Sequence, residues 1–324
     1  MSILVTGGAG FIGSCIVRSL NDRQINDLII ADNVEGTEKQ RILSAHRYIS
    51  YIHKSELISQ LRKDELKNIT AIIHMGACSS TTEADIDYLR RNNYEYSKSL
   101  WNIAAERGIP FIYASSAATY GNGSQGFDDE ADIDDLKPLN PYGESKHFFD
   151  IWVRHEASVF PPQHVGLKFF NVYGPNEYFK GPMASMVFHG FGQIRDTGEL
   201  KLFRSYRPDI ADGEQNRDFV YVKDLCDIVL WFLDHPDISG LFNVGTGTAR
   251  TFNKLGHALF DAMGLKPNIK YIDMPEILIS KYQYHTQATV KKLRAAGYDH
   301  DFRSLEEGIS DYVHEYLSKG NLIF

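Results

Sequence analysis

The sequence predicts an α/β protein in which helices cover both faces of a parallel β-sheet and a smaller lobe follows toward the C-terminal end. Two observations lead to this prediction. Over the first half of the chain, short apolar segments rich in β-branched residues alternate with segments whose apolar residues recur at helical spacing. After residue 170 this alternation loosens, and Gly-Pro pairs and polar stretches become frequent.

The predicted strands are short and apolar and lack strict alternation, as is typical of strands buried on both faces of a sheet. They cover residues 3–6, 28–32, 71–74, 111–114 and 165–170. Helical spacing is found between them, at residues 11–20, 56–61 and 94–107. Because strand–helix–strand repetition makes successive strands parallel, we expect a doubly wound sheet.

The domain boundary is expected where the pattern changes. Residues 1–170 are predicted to form the sheet domain, and residues 171–324 to form mainly the smaller lobe. Two further short strands are predicted at residues 219–222 and 241–244. A segment of about residues 217–250 is therefore expected to return to the sheet domain.

The composition excludes several classes of protein. Apolar residues make up 43% of the 324-residue chain and charged residues 23%, which is the balance of a globular protein rather than a disordered one. The net charge of −8 argues against nucleic acid as a partner, because phosphate binding requires a basic face. Cys15, Cys78 and Cys226 are widely spaced and form no Cys-x-x-Cys pair, so neither a disulfide framework nor a metal site is expected.

The N-terminal sequence and the apolar segments indicate the expected cellular location of the protein. The first ten residues lack a basic region followed by an apolar stretch, so no signal peptide is expected. The apolar run at residues 27–31 is far too short to span a bilayer. We therefore expect a cytoplasmic protein with no membrane partner.

A glycine-rich turn follows the first predicted strand directly. Gly7, Gly10 and Gly13 have the spacing Gly-x-x-Gly-x-x-Gly, and a predicted helix comes after them. Such a turn lets the backbone approach a pyrophosphate and points the N–H groups of the helix start at the phosphates. The second strand ends at Asp32, where a carboxylate can accept hydrogen bonds from ribose hydroxyls. The pattern predicts a dinucleotide site in a Rossmann-type domain.

The sequence leaves the choice between NAD and NADP open. Asp32 favours NAD, because a carboxylate repels the 2′-phosphate of NADP. Lys39, Arg41 and Lys54 follow, and each is a cation that either neutralises that phosphate or lies solvated at the surface.

A serine, a tyrosine and a lysine form the candidate catalytic group. Ser116 comes at the end of the strand predicted at residues 111–114, at the sheet edge where ligands bind. Asn140 is a good N-cap and Pro141 a good first helical residue, so a helix is predicted to begin there. Tyr142 and Lys146 are four residues apart and share one face of that helix.

These three residues suit hydride-transfer chemistry. A neighbouring ammonium and a positive nicotinamide ring both favour the phenolate, so the pKa of Tyr142 is expected to be lowered. Tyr142 would then remove a hydroxyl proton as hydride leaves carbon, and return it in the reverse direction. Ser116 would hydrogen-bond the same substrate oxygen, and Lys146 would also hold the nicotinamide ribose.

With these residues identified, the chain resembles the extended short-chain dehydrogenase/reductases, the nucleotide-sugar epimerases and dehydratases, over nearly its full length. The resemblance is carried by VTGGAGFIGS (5–14), GACSSTTE (76–83), ASSAATYG (114–121), PLNPYGESK (138–146), FFNVYGPNE (169–177), KGPMAS (180–185), RDFVYV (217–222) and FNVGTG (242–247).

The segments 76–83 and 180–185 are the specific ones, and they are similar to those of family members that epimerise C6″ of an ADP-activated heptose for the lipopolysaccharide inner core. The resemblance implies NADP as cofactor, a nucleotide-sugar substrate and a homo-oligomer, often a pentamer. It also implies two bases, with Tyr142 serving one epimer and Lys180 the other. From the residues alone, Lys180 would be interpreted as a solvated lysine.

The resemblance assigns further binding residues. Cofactor contacts are expected at Gly7, Gly10, Phe11, Ile12, Gly13, Asp32, Asn33, Lys39, Lys54, Met75, Gly76, Ala77, Cys78, Ser79, Asn92, Tyr142, Lys146 and Val172. Substrate contacts are expected at Ser116, Asn171, Lys180, His189, Phe203, Arg204, Ser205, Tyr206, Arg217 and Tyr282. Arg217 suits a diphosphate chemically. His189, Phe203 and Tyr282 are equally compatible with ordinary core positions.

The chain departs from the family pattern at a few positions. Met75 stands where an acid is frequent, and Pro182 replaces a serine expected near the substrate. The lysine for the 2′-phosphate aligns with either Glu38 or Lys39, and the segment 207–215 is longer than expected.

Two alternative functions remain open from the sequence. A UDP-hexose 4-epimerase has the same glycine turn and tyrosine but flips its keto sugar and needs no second base. A non-catalytic dinucleotide sensor needs the glycine turn but neither Tyr142 nor Lys146.

Overall fold

The computed structural model describes residues 1–279 and 282–324. The strands are β1 Ser2–Thr6, β2 Leu28–Asp32, β3 Ser50–His53, β4 Ile69–His74, β5 Phe111–Ser116, β6 His164–Phe169, β7 Asn171–Tyr173, β8 Leu200–Phe203, β9 Asn216–Tyr221, β10 Gly240–Val244, β11 Ala249–Thr251 and β12 Ile269–Ile272. The helices are α1 Phe11–Asp22, α2 Thr37–Ser44, α3 Lys54–Arg62, α4 Ile86–Leu89, α5 Tyr96–Glu106, α6 Pro141–His155, α7 Met186–Thr197, α8 Val222–Asp234, α9 Phe252–Ala262, α10 Glu276–Ile279, α11 Lys291–Ala295 and α12 Leu305–Glu315. A π-helical turn, Arg90–Glu95, joins α4 to α5.

The central sheet confirms the predicted fold class. Within the described residues it has seven strands in the order β10-β6-β5-β4-β1-β2-β3, and every neighbouring pair is parallel. The chain moves outward from β1 through β2 to β3, then returns to the other side of β1 with β4. The strand order therefore reverses between β1 and β4, where ligands bind in open α/β sheets.

The sheet is apolar on both faces because successive side chains of each strand enter different cores. Leu4 and Ile72 pack with α3, α5 and α6, whereas their neighbours Val5 and Ile73 pack with α1 and α8. All four side chains are fully buried. This explains why the strands lack the alternation of a sheet with one solvated face.

The smaller lobe lies beside the carboxyl edge of the sheet and contains two small sheets, β11-β9-β7 and β12-β8. The segment after β9 rejoins the main sheet, since β10 pairs with β6 and α8 packs on α1. The strand predicted at 219–222 ends one residue earlier, because Val222 is the first residue of α8. The domain boundary at residue 170 stays a prediction. None of the helices in the described part of the chain is long and apolar enough to traverse a bilayer.

Candidate active site

A cleft of about 610 Å³ runs along the carboxyl ends of β1, β2, β4, β5 and β6. Of the residues predicted to bind the cofactor, all except Cys78 line this cleft. Of those predicted to bind the substrate, Ser116, Asn171 and Lys180 line it. The structure thus brings the glycine turn and the candidate catalytic residues to one place.

The glycine turn is built for close backbone approach. Gly7 has a φ of +68°, and a Cβ there would lie 2.7 Å from the backbone nitrogen of Gly76. A Cβ on Gly13 would lie 2.1 Å from the carbonyl oxygen of Gly7, so α1 reaches this position only with glycine. Gly10 is the N-cap of α1 and has no side chain to cap it. The first turn of α1 therefore presents its N–H groups to the cleft, as an anion requires.

Replacing Gly13 with Ala is expected to empty the dinucleotide site. The new methyl group meets backbone rather than a flexible side chain, so the turn must move. We expect the free energy of unfolding to fall by about 1–3 kcal/mol and the purified protein to carry little nucleotide, measured by absorbance after denaturation. Gly192→Ala is the matched control, because a Cβ there has open space within a helix. Full nucleotide content in Gly13→Ala would contradict the assignment of the turn.

Asp32 and Lys39 form an ion pair at the end of β2. One carboxylate oxygen of Asp32 accepts from the N–H of Ala9 (2.9 Å), and the other accepts from Nζ of Lys39 (2.9 Å). Lys39 also donates to the carbonyl oxygen of Asn33 (3.0 Å). Glu38 instead pairs with Arg41 (3.0 Å), and neither residue lines the cleft. Of the two candidates for the 2′-phosphate, Lys39 lines the cleft and Glu38 does not.

The opposite wall is organised by an asparagine that the sequence analysis missed. Asn93, in the π-helical turn, is almost fully buried. Its side chain accepts from the N–H of Cys78 (2.8 Å) and donates to the carbonyl oxygen of Cys78 (2.9 Å) and to Oγ of Ser145 (3.0 Å). The adjacent Asn92 faces the cleft and accepts from Nζ of Lys54 (2.8 Å). Cys78 thus anchors the turn after β4 to α6 instead of lining the cleft.

Helix α6 begins as the sequence predicted. The side-chain oxygen of Asn140 accepts from the N–H of Gly143 (2.8 Å), and Pro141 occupies the first turn. Tyr142 and Lys146 consequently face the cleft together, with Ser116 at the end of β5. Nζ of Lys146 donates to the carbonyl oxygen of Ala114 (2.9 Å), which fixes the amine beside the strand end.

Burial controls the titration of the catalytic pair. It raises the pKa of Tyr142, and the Ser116 hydroxyl opposes this rise. The pKa of Tyr142 was expected to be lowered by Lys146 and a nicotinamide ring, and for the protein alone this direction is wrong, because burial removes the solvation of the phenolate. Burial also lowers the pKa of Lys146 to about 8, against the opposing charge of Asp150. Lys146 can therefore change its charge near neutral pH.

A buried polar network lies behind α6. Asp150 accepts from Oγ of Ser115 (2.6 Å) and from Oη of Tyr113 (3.3 Å), and it pairs with Nζ of Lys168 (3.5 Å). Lys168 donates to Oγ1 of Thr119 (2.6 Å). These contacts fasten the helix that carries Tyr142 and Lys146 to β5 and β6. Truncating one partner would leave a buried charge uncompensated.

Lys180 enters the cleft from the segment between β7 and α7. Its Nζ lies 5.2 Å from the ring centre of Phe11, at the start of α1. Burial lowers the pKa of Lys180, and the charge of Glu177 opposes that change. The position is therefore that of a partly desolvated amine, and a solvated surface lysine does not describe it.

Arg217 is buried next to the cleft without a carboxylate bound to it in the described residues. It is 8% exposed and lies between the rings of Phe252 (5.7 Å) and Tyr282 (5.2 Å). Its guanidinium donates to the carbonyl oxygens of Asn216 (2.8 Å) and Gln283. Because burial lowers the pKa of Arg217, an anion bound there would be favoured.

The remaining predicted substrate residues lie outside the cleft lining. The ring of Phe203 contacts that of Tyr282 edge to face, with centroids 6.5 Å apart. Arg204 pairs with Asp273 at 3.6 Å. His189 is half-buried beside Phe188, and the Ser205–Tyr206 backbone is hydrogen-bonded to Asp212 and Tyr284. None of these residues lines the cleft that contains the candidate catalytic group.

Comparison with known proteins decides the family. The model of the NAD dependent epimerase/dehydratase family matches residues 3–245, which is most of the chain and includes the glycine turn, Tyr142 and Lys180. The chain belongs to this family. The epimerase/dehydratase family explains why a glycine turn, a Tyr-x-x-x-Lys pair and a separate lobe occur together in this chain.

Individual members of the epimerase/dehydratase family are similar over nearly the whole chain. An ADP-L-glycero-D-manno-heptose-6-epimerase from Nitratidesulfovibrio vulgaris (strain DP4) is 50% identical over 317 residues, 97% of this chain and 98% of the relative. The structure of the enzyme of that name from Helicobacter pylori has a TM-score of 0.81 at 29% identity, covering 97% of this chain and 95% of the other. A UDP-N-acetylglucosamine 4-epimerase from Methanobrevibacter ruminantium M1 has a TM-score of 0.83 at 26% identity, covering 98% of each chain.

The residues present fit the nicotinamide dinucleotide that the epimerase/dehydratase family uses. The cradle formed by Gly7, Gly10 and Gly13 is one that side chains would fill, and it faces the N-terminus of a helix. Asp32 and Lys39 lie where the adenosine ribose is held in Rossmann-type domains.

Proposed function

We propose that this protein interconverts ADP-D-glycero-D-manno-heptose and ADP-L-glycero-D-manno-heptose by epimerisation at C6″, with NADP as its bound cofactor. The observation that carries the proposal is the presence of two candidate bases, Tyr142 and Lys180, in one cleft with the glycine turn. The similarity to 6-epimerases over nearly the full chain supports the same substrate. A cytoplasmic location and a homo-oligomeric state are proposed from the resemblance alone.

The chemistry requires an oxidation that is later reversed. When bound, the nicotinamide supplies a group that accepts a hydride and returns it. Tyr142 removes the proton from the C6″ hydroxyl of one epimer, and Ser116 donates a hydrogen bond to the same oxygen. Lys146 holds the ribose and keeps positive charge beside the phenol, which favours the phenolate in the transition state.

A second base follows from geometry. C6″ lies outside the sugar ring and is bonded to two carbons, so its oxidation gives a ketone that can turn about the bond that joins it to the ring. Hydride must then reach its opposite face, and turning the ketone moves its oxygen away from Tyr142. Lys180 then donates the proton to that oxygen. In the reverse direction, Lys180 removes the proton and Tyr142 returns it.

Arg217 is the candidate clamp for the diphosphate of the substrate. A guanidinium is always charged and binds phosphate oxygens in a fork of two hydrogen bonds. Here the guanidinium is buried between two aromatic rings, and its bonds within the described residues go to main-chain carbonyls. Bound diphosphate would supply the negative charge that this position lacks.

Lys39 is proposed to select NADP, and Lys39→Met is expected to weaken NADP binding by about 10- to 100-fold while changing NAD binding much less. A charge-assisted hydrogen bond of this kind contributes roughly 1.5–3 kcal/mol, which corresponds to that range. The substitution also leaves Asp32 unpaired, so its carboxylate repels the 2′-phosphate. Titration calorimetry on nucleotide-free protein measures both affinities. Arg41→Met is the control, because Arg41 donates to Asn321 away from the cleft. Equal losses for the two nucleotides would contradict the selection of NADP.

The proposed function is tested on the purified protein in two steps. Mass spectrometry of the nucleotide released on denaturation identifies the cofactor, with NADP expected. NMR of ADP-D-glycero-D-manno-heptose incubated with the protein then measures epimerisation, with UDP-glucose as the control substrate. Turnover of UDP-glucose alone would indicate a 4-epimerase. Bound nucleotide without turnover of either substrate would indicate a dinucleotide sensor.

A further inference from the structure

The segment that carries Lys180 has little regular structure. Residues 174–185 join β7 to α7 and contain a single 3₁₀ turn, Gly181–Met183. A catalytic amine must be held within a fraction of an ångström of its working position, since displacement by about 1 Å can cost 100-fold in rate. The contacts that hold this segment therefore determine whether Lys180 can act.

One carboxylate holds both ends of the segment. Glu177 is fully buried. Its Oε1 accepts from the N–H of Gly174 (3.2 Å) and from Oγ of Ser185 (2.7 Å). Its Oε2 accepts from the N–H of Ser185 (2.6 Å). The side chain thus joins the first residue of the segment to the last one.

The backbone of Glu177 extends this hold to the lysine itself. Its carbonyl oxygen accepts from the N–H of Lys180 (3.0 Å), and the carbonyl oxygen of Lys180 accepts from the N–H of Met183 (3.0 Å). Ser185 in turn caps α7, because its Oγ accepts from the N–H of Phe188 (3.2 Å). The segment is therefore continuous with α7 at one end and with β7 at the other.

We propose that Glu177 is the positioning residue for Lys180, fixing the segment between β7 and α7 through three hydrogen bonds and keeping a negative charge beneath the amine. The proposal rests on the role proposed above for Lys180. Glu177 does not line the cleft and so acts through the lysine.

The charge of Glu177 acts directly on Lys180. Burial lowers the pKa of Lys180, and Glu177 raises it. The other titratable groups that face Glu177 are Cys15 of α1, Tyr178, and Tyr312 of α12. Burial raises the pKa of each, so all three are neutral at neutral pH. Burial also raises the pKa of Glu177, and its hydrogen bonds from Ser185 and Gly174 oppose that rise. Among these groups, Glu177 is the one whose negative charge opposes the effect of burial on Lys180.

Glu177→Gln tests this role because it removes the charge and one acceptor while keeping the volume. The rate of cofactor reduction is measured by the absorbance of reduced nicotinamide, after mixing the holoenzyme with each heptose epimer separately. Lys180→Met identifies which epimer depends on Lys180. For that epimer we expect Glu177→Gln to slow oxidation by about 100-fold, and for the other epimer we expect little change.

The pH dependence separates positioning from a general structural effect. Without the negative charge the pKa of Lys180 falls. In a plot of rate against pH, the acid limb is the range in which the rate rises as Lys180 loses its proton, so for the Lys180-dependent oxidation this limb should move to lower pH in Glu177→Gln. Glu177→Asp keeps the charge but has a side chain one methylene shorter. This variant should therefore oxidise the Lys180-dependent epimer more slowly, with the acid limb at the same pH as in the parent protein. Glu56→Gln, on the exposed face of α3, is the control.

The outcomes of these measurements decide the proposal. Selective slowing with a moved acid limb supports it. Equal slowing with both epimers, or an unmoved limb in a folded Glu177→Gln, overturns it. If Glu177→Gln does not fold, Glu177→Asp decides, because equal slowing with both epimers again overturns the role. If Lys180→Met leaves both oxidations unchanged, the proposed function itself has failed.

Discussion

Tyr142→Phe is expected to reduce epimerisation in both directions by about 10²–10⁴-fold, the usual contribution of a general acid–base group. The phenol hydroxyl is needed to take the proton from one epimer and to return it when the other epimer reacts. The ring keeps its place in α6, so folding and nucleotide content should be preserved. NMR of the ADP-heptose epimers and mass spectrometry of the released nucleotide measure these two properties.

Tyr94→Phe is the control for this substitution. The hydroxyl of Tyr94 accepts from Lys98 outside the cleft, so its loss should leave turnover unchanged. A Tyr142→Phe protein as active as the parent would remove Tyr142 from the mechanism, whatever the nucleotide content.

Lys180→Met is expected to produce a loss of similar size, about 10²–10⁴-fold, in steady-state epimerisation. The two candidate activities, 6-epimerase and 4-epimerase, predict the most different results for this substitution. A 4-epimerase rotates its keto sugar past a single tyrosine and would be almost unaffected. In the proposed 6-epimerase, Tyr142 can still take the hydroxyl proton of its own epimer in the variant, so that epimer can be oxidised, but the ketone oxygen receives no proton from the Lys180 side. Reduced nicotinamide should therefore form with one epimer while net conversion is lost.

Lys201→Met, an exposed lysine on β8, is the control for removal of one positive charge. Full epimerase activity in Lys180→Met, with ADP-heptose as substrate, would show that a single base suffices and would refute the two-base mechanism.

The sheet could be predicted from the sequence because its signals are local. Six of its seven described strands are apolar runs, whereas β3, in which only Ile52 is buried, was not predicted. The glycine turn has a fixed spacing between a strand and a helix. The helices of the smaller lobe were not predicted. Two of them carry a glycine at a packed position: a Cβ at Gly190 in α7 would lie 2.7 Å from a terminal methyl carbon of Leu259, and one at Gly308 in α12 would lie 2.1 Å from the hydroxyl of Tyr173. Contacts this distant in sequence leave no periodic pattern.

The same reason limits prediction of the site. Tyr142 and Lys146 could be predicted as a pair because their spacing puts them on one face of a helix. Asn93 and Glu177 were missed, because their hydrogen-bond partners are identified only in the folded structure. Asp150 has a sequence signal, as it follows Lys146 by four residues on the same helix. Its pairing with Lys168 depends on a neighbouring strand and could not be derived. The direction of the Tyr142 pKa was predicted wrongly because burial was not known.

Tyr142 and Lys180 share one cleft, and in the proposed mechanism each catalytic cycle changes the protonation states of both side chains. In the proposed mechanism, converting the epimer that Tyr142 deprotonates finishes with an extra proton on the phenol and one missing from the amine. The free enzyme would then alternate between two forms that accept opposite epimers. Burial shifts both groups toward their neutral states, which is the form primed for the epimer that Lys180 deprotonates. In this mechanism a proton has to return from the phenol to the amine before the same epimer can react again, and we expect this step to limit the turnover rate at saturating substrate.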